Sequence, residues 1–278
     1  MTRASLTGTG FMDKPAPDPL RAIRDRIDAI DEAIHRLLID RSGVISELIE
    51  AKGTSAPGAA FRPNREADMM RRLVQRHAGK LPITTVEHIW REIITTFTAI
   101  QAPFEVIAGP ADDPLAMRDL VRFYFGFSVP VSGAESNDAA IAEVARSRKH
   151  IAVIGASSPG RWWEALAPPS APKVLARLPF IDIPDRPADL PAYVIGPLLK
   201  EPYEPDVQLF AMTDTPGLQA ALASFGGVTA AQSGEEILVE LPVAVTLADI
   251  GDGHRVHRDA RKVGSFFQPI RRLADRKT

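Results

Sequence analysis

No cysteine occurs among the 278 residues. That excludes disulfides, thiolate metal sites and a cysteine nucleophile, and it is compatible with a reducing compartment. An excess of charge of one sign is also missing. A net charge of -2 gives no general attraction to nucleic acid or to an anionic membrane. No run approaches the ~18 consecutive apolar residues of a membrane span. The opening stretch MTRASLTGTGFMDKPAPDP has no apolar core long enough for a secretion signal, and it reads as a flexible arm over residues 1–19. His35, His77 and His88 are scattered without metal-ligand spacing and read as surface residues. No nucleophile stands beside a base. What remains is 45% hydrophobic and 24% charged, enough to fill a core, and long enough for two domains. The expected location is the cytoplasm.

What is present divides into two halves. Residues 20–102 are helical in pattern. Asp18 is a plausible N-cap with Pro19 at the first helical position. From there Leu20, Ile23, Ile27, Ile30, Ile34 and Leu37 recur at three- and four-residue steps, and the helix runs to about Lys52. Roughly 33 residues at 1.5 Å each give a rod of about 50 Å, long for a small domain. Packing against a second copy would cover it, which predicts an intertwined dimer. A second helix begins in FRPNRE, carries Met69, Met70, Leu73 and Val74, and ends at Gly79. A third begins at Thr84, with Glu87 three residues on as a capping box. Its stripe is Val86, Ile89, Trp90, Ile93, Ile94, Phe97 and Ile100.

Residues 103–278 have a different pattern. They hold 18 of the 24 prolines, which argues against long helices. FEVIAG, HIAVIGA, AYVIGP and VQLFAM read as short buried strands, and DPLAMRDLVRFYFG and NDAAIAEVARSR as helices between them. This half is an α/β region. GASSPG at 155–160 lacks both the Lys-Ser/Thr ending of a phosphate loop and dinucleotide spacing, so it reads as a turn. HRVHRD at 254–259 has no third ligand and reads as a surface turn. The basic C-terminal tail reads as a solvated face.

The polar residues on the helical faces need a reason. Arg41 interrupts the first stripe four residues after Leu37. Lys52 lies 11 residues further on, within about 20° of the same direction at 100° per residue. Arg65 lies in line with Met69, and Gln101 continues the third stripe. A single long cation on an apolar stripe usually reaches solvent. Several of them converging without anions would be costly. A bundle that gathers three cations and an amide is suited to an anionic ligand, because the planar fork of arginine fits a carboxylate. Anion binding, or electrostatic catalysis without covalent chemistry, follows.

LRAIRDRIDAIDEAIHRLLIDR, a lysine at the helix end, FRPNRE and IWREIITTFTAIQ together resemble the all-helical class of chorismate mutase over residues 20–101. The resemblance implies an intertwined homodimer of three helices per chain and a cofactor-free isomerase that takes chorismate to prephenate in aromatic amino acid biosynthesis. Arg24 matches the arginine lent across the dimer. Arg41 and Arg65 match substrate-binding arginines of the home chain. Lys52 matches the lysine on the ether oxygen and a carboxylate, Glu66 the glutamate on the substrate hydroxyl, and Gln101 the second ether-oxygen donor. Catalysis is expected from Lys52, Gln101 and Arg41. Two positions depart from the pattern: Arg62 stands where some members have aspartate, and Phe97 where a serine is often found.

The second half faintly resembles the C-terminal part of prephenate dehydratase followed by an ACT-like regulatory module. ESNDAAIAEVARSRKHIAVIGA carries the lobe, VQLFAMTDTPGLQAALASFG the first strand and helix of the module, and KVGSFFQPI its closing segment. In LPAYVIG, however, Pro191 and Ala192 replace the Thr and Arg of the dehydratase motif. The expectation is a mutase fused to a non-catalytic α/β domain. Two alternatives remain open: a non-catalytic dimeric sensor of a small di-acid, and a bifunctional mutase–dehydratase.

Overall fold

A heptad-like stripe, a capping aspartate and a proline at the first turn favour one long helix at the start of the chain, and that helix forms. In the structure, a computed structural model, the described residues are 18–52, 62–199, 202–250 and 259–271. Helix α1 spans Pro19–Lys52, 34 residues. The Asp18 carboxylate accepts from the Leu20 amide at 3.0 Å, so the expected cap is made. The chain divides into two compact units, residues 1–53 and 54–278, each described by itself. In the first, Leu20, Ile23, Ile27, Ile30, Ile34 and Leu37 are all more than half exposed. A Cβ built at Gly43 would meet nothing within 4 Å, so the open space offers no in-chain reason for a glycine there.

In the second unit, α2 spans Pro63–Arg76 and α3 spans Ile83–Gln101. Pro63 holds the first turn of α2 as its fixed φ favours. Helix α2 stops at Arg76, before Gly79, which takes φ +97 in the connection. Helix α3 differs from expectation in two respects. Its N-cap is Pro82 with no side-chain cap, so no capping box forms. Its covered face is also not the apolar stripe. Ile83, Thr84, Glu87, Arg91, Ile94, Thr95 and Thr98 are buried, whereas Ile89 and Ile100 are exposed. The polar side chains find partners inside the α/β region, and those partners decide which way the helix turns.

That region alternates strand and helix, and all four expected strands form. β1 is Val106–Ala108, β2 Val131–Gly133, β3 Ile151–Gly155, β4 Lys173–Leu178 and β5 Ala192–Gly196. Helix α4, Pro114–Phe125, is capped by Asp113, and α5, Asn137–Ser147, by Ser136. GASSPG is a turn: the Ser158 amide donates to the Gly155 carbonyl at 3.0 Å, and a short 3-10 turn follows at Trp162–Leu166. Next come β6 Val207–Thr213, α6 Leu218–Ser224, β7 Val228–Ser233, β8 Glu236–Pro242 and β9 Arg261–Phe266. β2, β4, β7, β8 and β9 are additions to the strands read from the sequence.

Among the described residues the nine strands make one sheet, in the order β2-β1-β3-β5-β4-β9-β6-β8-β7. β1 pairs in parallel with β2 and β3; β5 runs antiparallel to β3 and β4. The last group is an antiparallel set in which β6 lies between β8 and β9. The two parts meet where β4 runs parallel to β9, through Val174 and Gly264. A Cβ at Gly264 would lie 2.5–2.7 Å from Val174, so only glycine permits this approach. One apolar cluster takes in residues of both parts, including Ile154, Tyr193, Leu209 and Phe266. No helix among the described residues is long and apolar enough to cross a membrane.

Candidate active site

The residues singled out in the sequence lie on all three N-terminal helices. Arg24, Arg41 and Lys52 are on α1, in the first unit. Arg24 is exposed, Arg41 is half-buried, and Lys52 is the last residue of the helix. The 11 residues from Arg41 to Lys52 amount to about 16 Å of helix. Arg65, Glu66 and Gln101 belong to the second unit. Arg65 is exposed on the first turn of α2 and Glu66, its neighbour, is half-buried. Gln101 is the last residue of α3, and its amide nitrogen donates to the Phe97 carbonyl at 3.0 Å. Arg62 is half-buried at the N-cap of α2, and its carbonyl accepts from the Glu66 amide at 3.1 Å.

Glu66 has a partner that the sequence reading missed. Its carboxylate meets the Arg91 guanidinium at 3.1 Å, with the two side chains only 18% and 8% exposed. Arg91 also reaches back one turn to Glu87, 4.0 Å away. Glu87 is fully buried and has Arg186 at 3.4 Å on its other side. The Tyr124 hydroxyl donates to Glu87 at 3.1 Å and accepts from the Phe180 amide at 2.9 Å. Arg186 in turn donates to the backbone carbonyls of Pro187 and Ile181. Two carboxylates, two guanidiniums and a phenol thus form a buried network. It runs from the first turn of α2, through α3 and α4, to the segment after β4.

Burial is the main electrostatic influence here. It pushes the Glu66 carboxyl above the usual carboxylate range, although Arg91 pulls it down by charge and hydrogen bond. Burial likewise raises Glu87, against the pull of Arg91 and Arg186. The Tyr124 phenol is pushed up first by burial and then by the Glu87 charge, so it stays protonated and can donate. Arg91 and Tyr124 also interact ring-on, the guanidinium carbon 5.0 Å from the ring centroid. Beside Glu66 lies a cavity of about 40 Å³ whose lining includes Arg91, Thr98, Tyr124 and Arg177. It has room for a few waters.

A signal for this network was present in the sequence. Thr84, Glu87, Arg91, Thr95 and Thr98 recur at three- and four-residue steps, a polar stripe as regular as the apolar one beside it. Another reading also changes: His88 is not a plain surface residue. Its ring stacks on Phe123 at 4.9 Å, and its Nδ1 lies 3.1 Å from the Phe123 carbonyl. Of HRVHRD, only Asp259 lies inside the described residues. No group of three or more metal-ligating side chains occurs among the described residues.

The three helices that carry these positions have a known pattern: residues 23–102 match the family model described as chorismate mutase type II. The chain contains a chorismate mutase type II domain. The curated relatives agree. A bifunctional chorismate mutase/prephenate dehydratase of Neisseria gonorrhoeae is 36% identical over 83 residues, 30% of this chain and 22% of that protein. Its counterpart in Stutzerimonas stutzeri is 27% identical over 141 residues, 49% of this chain and 38% of that protein. The counterpart in Pseudomonas aeruginosa is 26% identical over the same length. The chain therefore aligns with well under half the length of these relatives. The two longer alignments exceed the 80 residues of the mutase domain, so the likeness extends beyond it. A solved structure titled as a novel type of quorum quenching acylase, GqqA, aligns over 59% of this chain and 94% of its own. It does so at 13% identity and a TM-score of 0.39, too weak a likeness to bear on fold or function.

Proposed function

We propose that this protein is a chorismate mutase, converting chorismate to prephenate without cofactor or covalent intermediate. The observation that carries the reading is the match of residues 23–102 to the mutase family, with Arg24, Arg41, Lys52, Arg65, Glu66 and Gln101 all present in order on its three helices. The reaction is pericyclic and needs no proton transfer from the protein. The enzyme has to hold a folded di-acid and stabilise the charge that develops on the ether oxygen. Arg41, Arg65 and an Arg24 from a second copy would clamp the carboxylates and fix the conformer. Lys52 and Gln101 would donate to the ether oxygen as the C–O bond breaks, a contact stronger in the transition state than in the substrate. Glu66 would accept from the substrate hydroxyl.

The functional form in this reading is a homodimer. The uncovered stripe of α1 supports it, because six large apolar side chains at heptad spacing, each more than half exposed, suit a second helix. The α/β region is read as a non-catalytic companion with an ACT-like module in β6–β9. The relatives are named for two activities, but Pro191 just before this chain's β5 and Ala192 at its start stand where the dehydratase motif would place Thr and Arg. Incubating the purified protein with chorismate tests the proposal. The expected outcome is loss of chorismate with stoichiometric prephenate and no phenylpyruvate. Tight binding without turnover would establish the sensor reading instead, and phenylpyruvate would establish a bifunctional enzyme.

A further inference from the structure

Glu66 occupies two roles at once. In the proposed reading it accepts from the substrate hydroxyl, and in the structure it is one end of a buried charge network. Its only ion-pair partner among the described residues is Arg91, at 3.1 Å. Arg91 is 7% exposed and cannot swing to solvent, and it spans two carboxylates, Glu66 and Glu87. Glu87 is held from the far side by Arg186 and by the Tyr124 hydroxyl. Those two groups come from the α/β region, Tyr124 from α4 and Arg186 from the segment after β4. The Arg91–Glu87 pair behind Glu66 is therefore held in place by groups from the second half of the chain.

We propose that Arg91 is a positioning residue of the mutase site, holding the Glu66 carboxylate charged and aimed for the substrate hydroxyl, with the α/β region as the fixed support behind it. The inference rests on the reading of Glu66 as the hydroxyl-binding residue. Its consequence is that the α/β region contributes to substrate affinity although it holds none of the proposed substrate contacts. The groups around Glu66 set the sign of any pH effect. Arg91 of α3 faces it directly, Tyr124 of α4 and Arg177 of β4 line the adjoining cavity, and exposed Arg65 is its neighbour on α2. Glu87 and Arg186 stand behind Arg91. Burial already pushes the Glu66 carboxyl up, and the charge and hydrogen bond of Arg91 are the counterweight. Removing the guanidinium removes that counterweight, so the carboxylate protonates at higher pH.

The experiment is steady-state chorismate turnover on the full chain from pH 5 to 9, for wild type, Glu66→Gln, Arg91→Gln, Arg91→Lys and the Glu66→Gln/Arg91→Gln pair. Glu66→Gln should raise KM about tenfold with a smaller change in kcat, because one substrate contact is weakened while the ether-oxygen donors remain. Arg91→Gln should move the acid limb of kcat/KM to higher pH. The double variant should match Glu66→Gln within about twofold, since Arg91 acts through Glu66. Arg91→Lys keeps the charge but cannot span both carboxylates, so KM should rise severalfold with the acid limb in place. If Glu66→Gln retains the wild-type KM, the hydroxyl reading of Glu66 fails. If Glu66→Gln is impaired but the Arg91→Gln acid limb does not move, or the double variant is fully additive, positioning by Arg91 fails while that reading stands. Should Arg91→Gln not fold by its thermal melt, Arg91→Lys decides the question, and an unchanged KM there overturns the proposal.

Discussion

A single residue, Glu87, shows how burial and pairing compete. It has no exposed surface, and two guanidiniums and a phenol surround it. Burial nevertheless holds its carboxyl above the usual value of 4.5. Between that value and the raised folded one, the folded protein keeps a proton that the unfolded chain releases. The contribution of Glu87 to stability therefore grows as pH falls through that window and is lost as pH rises out of it. Thermal melts of wild type and Glu87→Gln between pH 4.5 and 7 should show wild type gaining on the variant as the pH drops. Each unit of displacement is worth about 1.4 kcal/mol, and a constant difference would contradict the raised value. The proposed chemistry makes a second prediction at this scale. Arg41→Ala and Lys52→Ala should each lose about 100-fold or more in turnover, the size of effect seen when a transition-state donor is removed, with the dimer intact by light scattering. Near wild-type turnover in either would refute the assignment.

At the scale of the element, α1 and α3 show what periodicity can and cannot tell. For α1 the pattern was sufficient: stripe, cap and length were legible because one helix with one apolar face leaves few choices. For α3, two regular stripes compete in one sequence. Hydrophobicity alone favours the side with Ile89 and Ile100, yet these are exposed, and the side with Glu87, Arg91, Thr95 and Thr98 is buried. The polar face wins because Tyr124, Arg186 and Glu66 satisfy it, and those partners are distant in sequence and invisible to a local reading. The strands β1, β3, β5 and β6 were legible as apolar runs. Edge strand β7, VTAAQS, was not, because it has few large apolar residues and is only half-buried. The α1 stripe yields a prediction of its own. Ile30→Asp puts a charge at the middle of the exposed stripe and should convert the proposed dimer to monomers in sedimentation velocity, with turnover falling in parallel. A variant that stays dimeric would show that association uses another surface.

On the scale of the whole molecule, the sheet matters more than the boundary between the two halves of the sequence. Residues 54–278 cohere because β4 and β9 join two sets of strands into one sheet, while Arg177 and Tyr193 both reach Glu240 of β8, at 3.0 and 2.6 Å. The change from helical to α/β pattern near residue 102 was plain in the sequence. That α2 and α3 would share a core with the α/β region was not, since that needed the partners of Met70, Ile94 and Phe180. Gly264→Ala tests the seam. Its methyl would overlap the Val174 backbone, so denaturant unfolding should show a loss of about 1–3 kcal/mol. An alanine variant as stable as wild type would mean the seam has slack.

β9 is the last of the described strands, yet it lies in the interior of the sheet, between β4 and β6. During synthesis, β1 to β5 emerge from the ribosome long before the strand that will cover the open side of β4. The nascent protein must carry that unpaired strand until residues 261–266 arrive. A premature stop just before β9 would therefore not trim a tail. It would leave two facing sheet edges with nothing between them, and such a product is a natural target for chaperones and proteases.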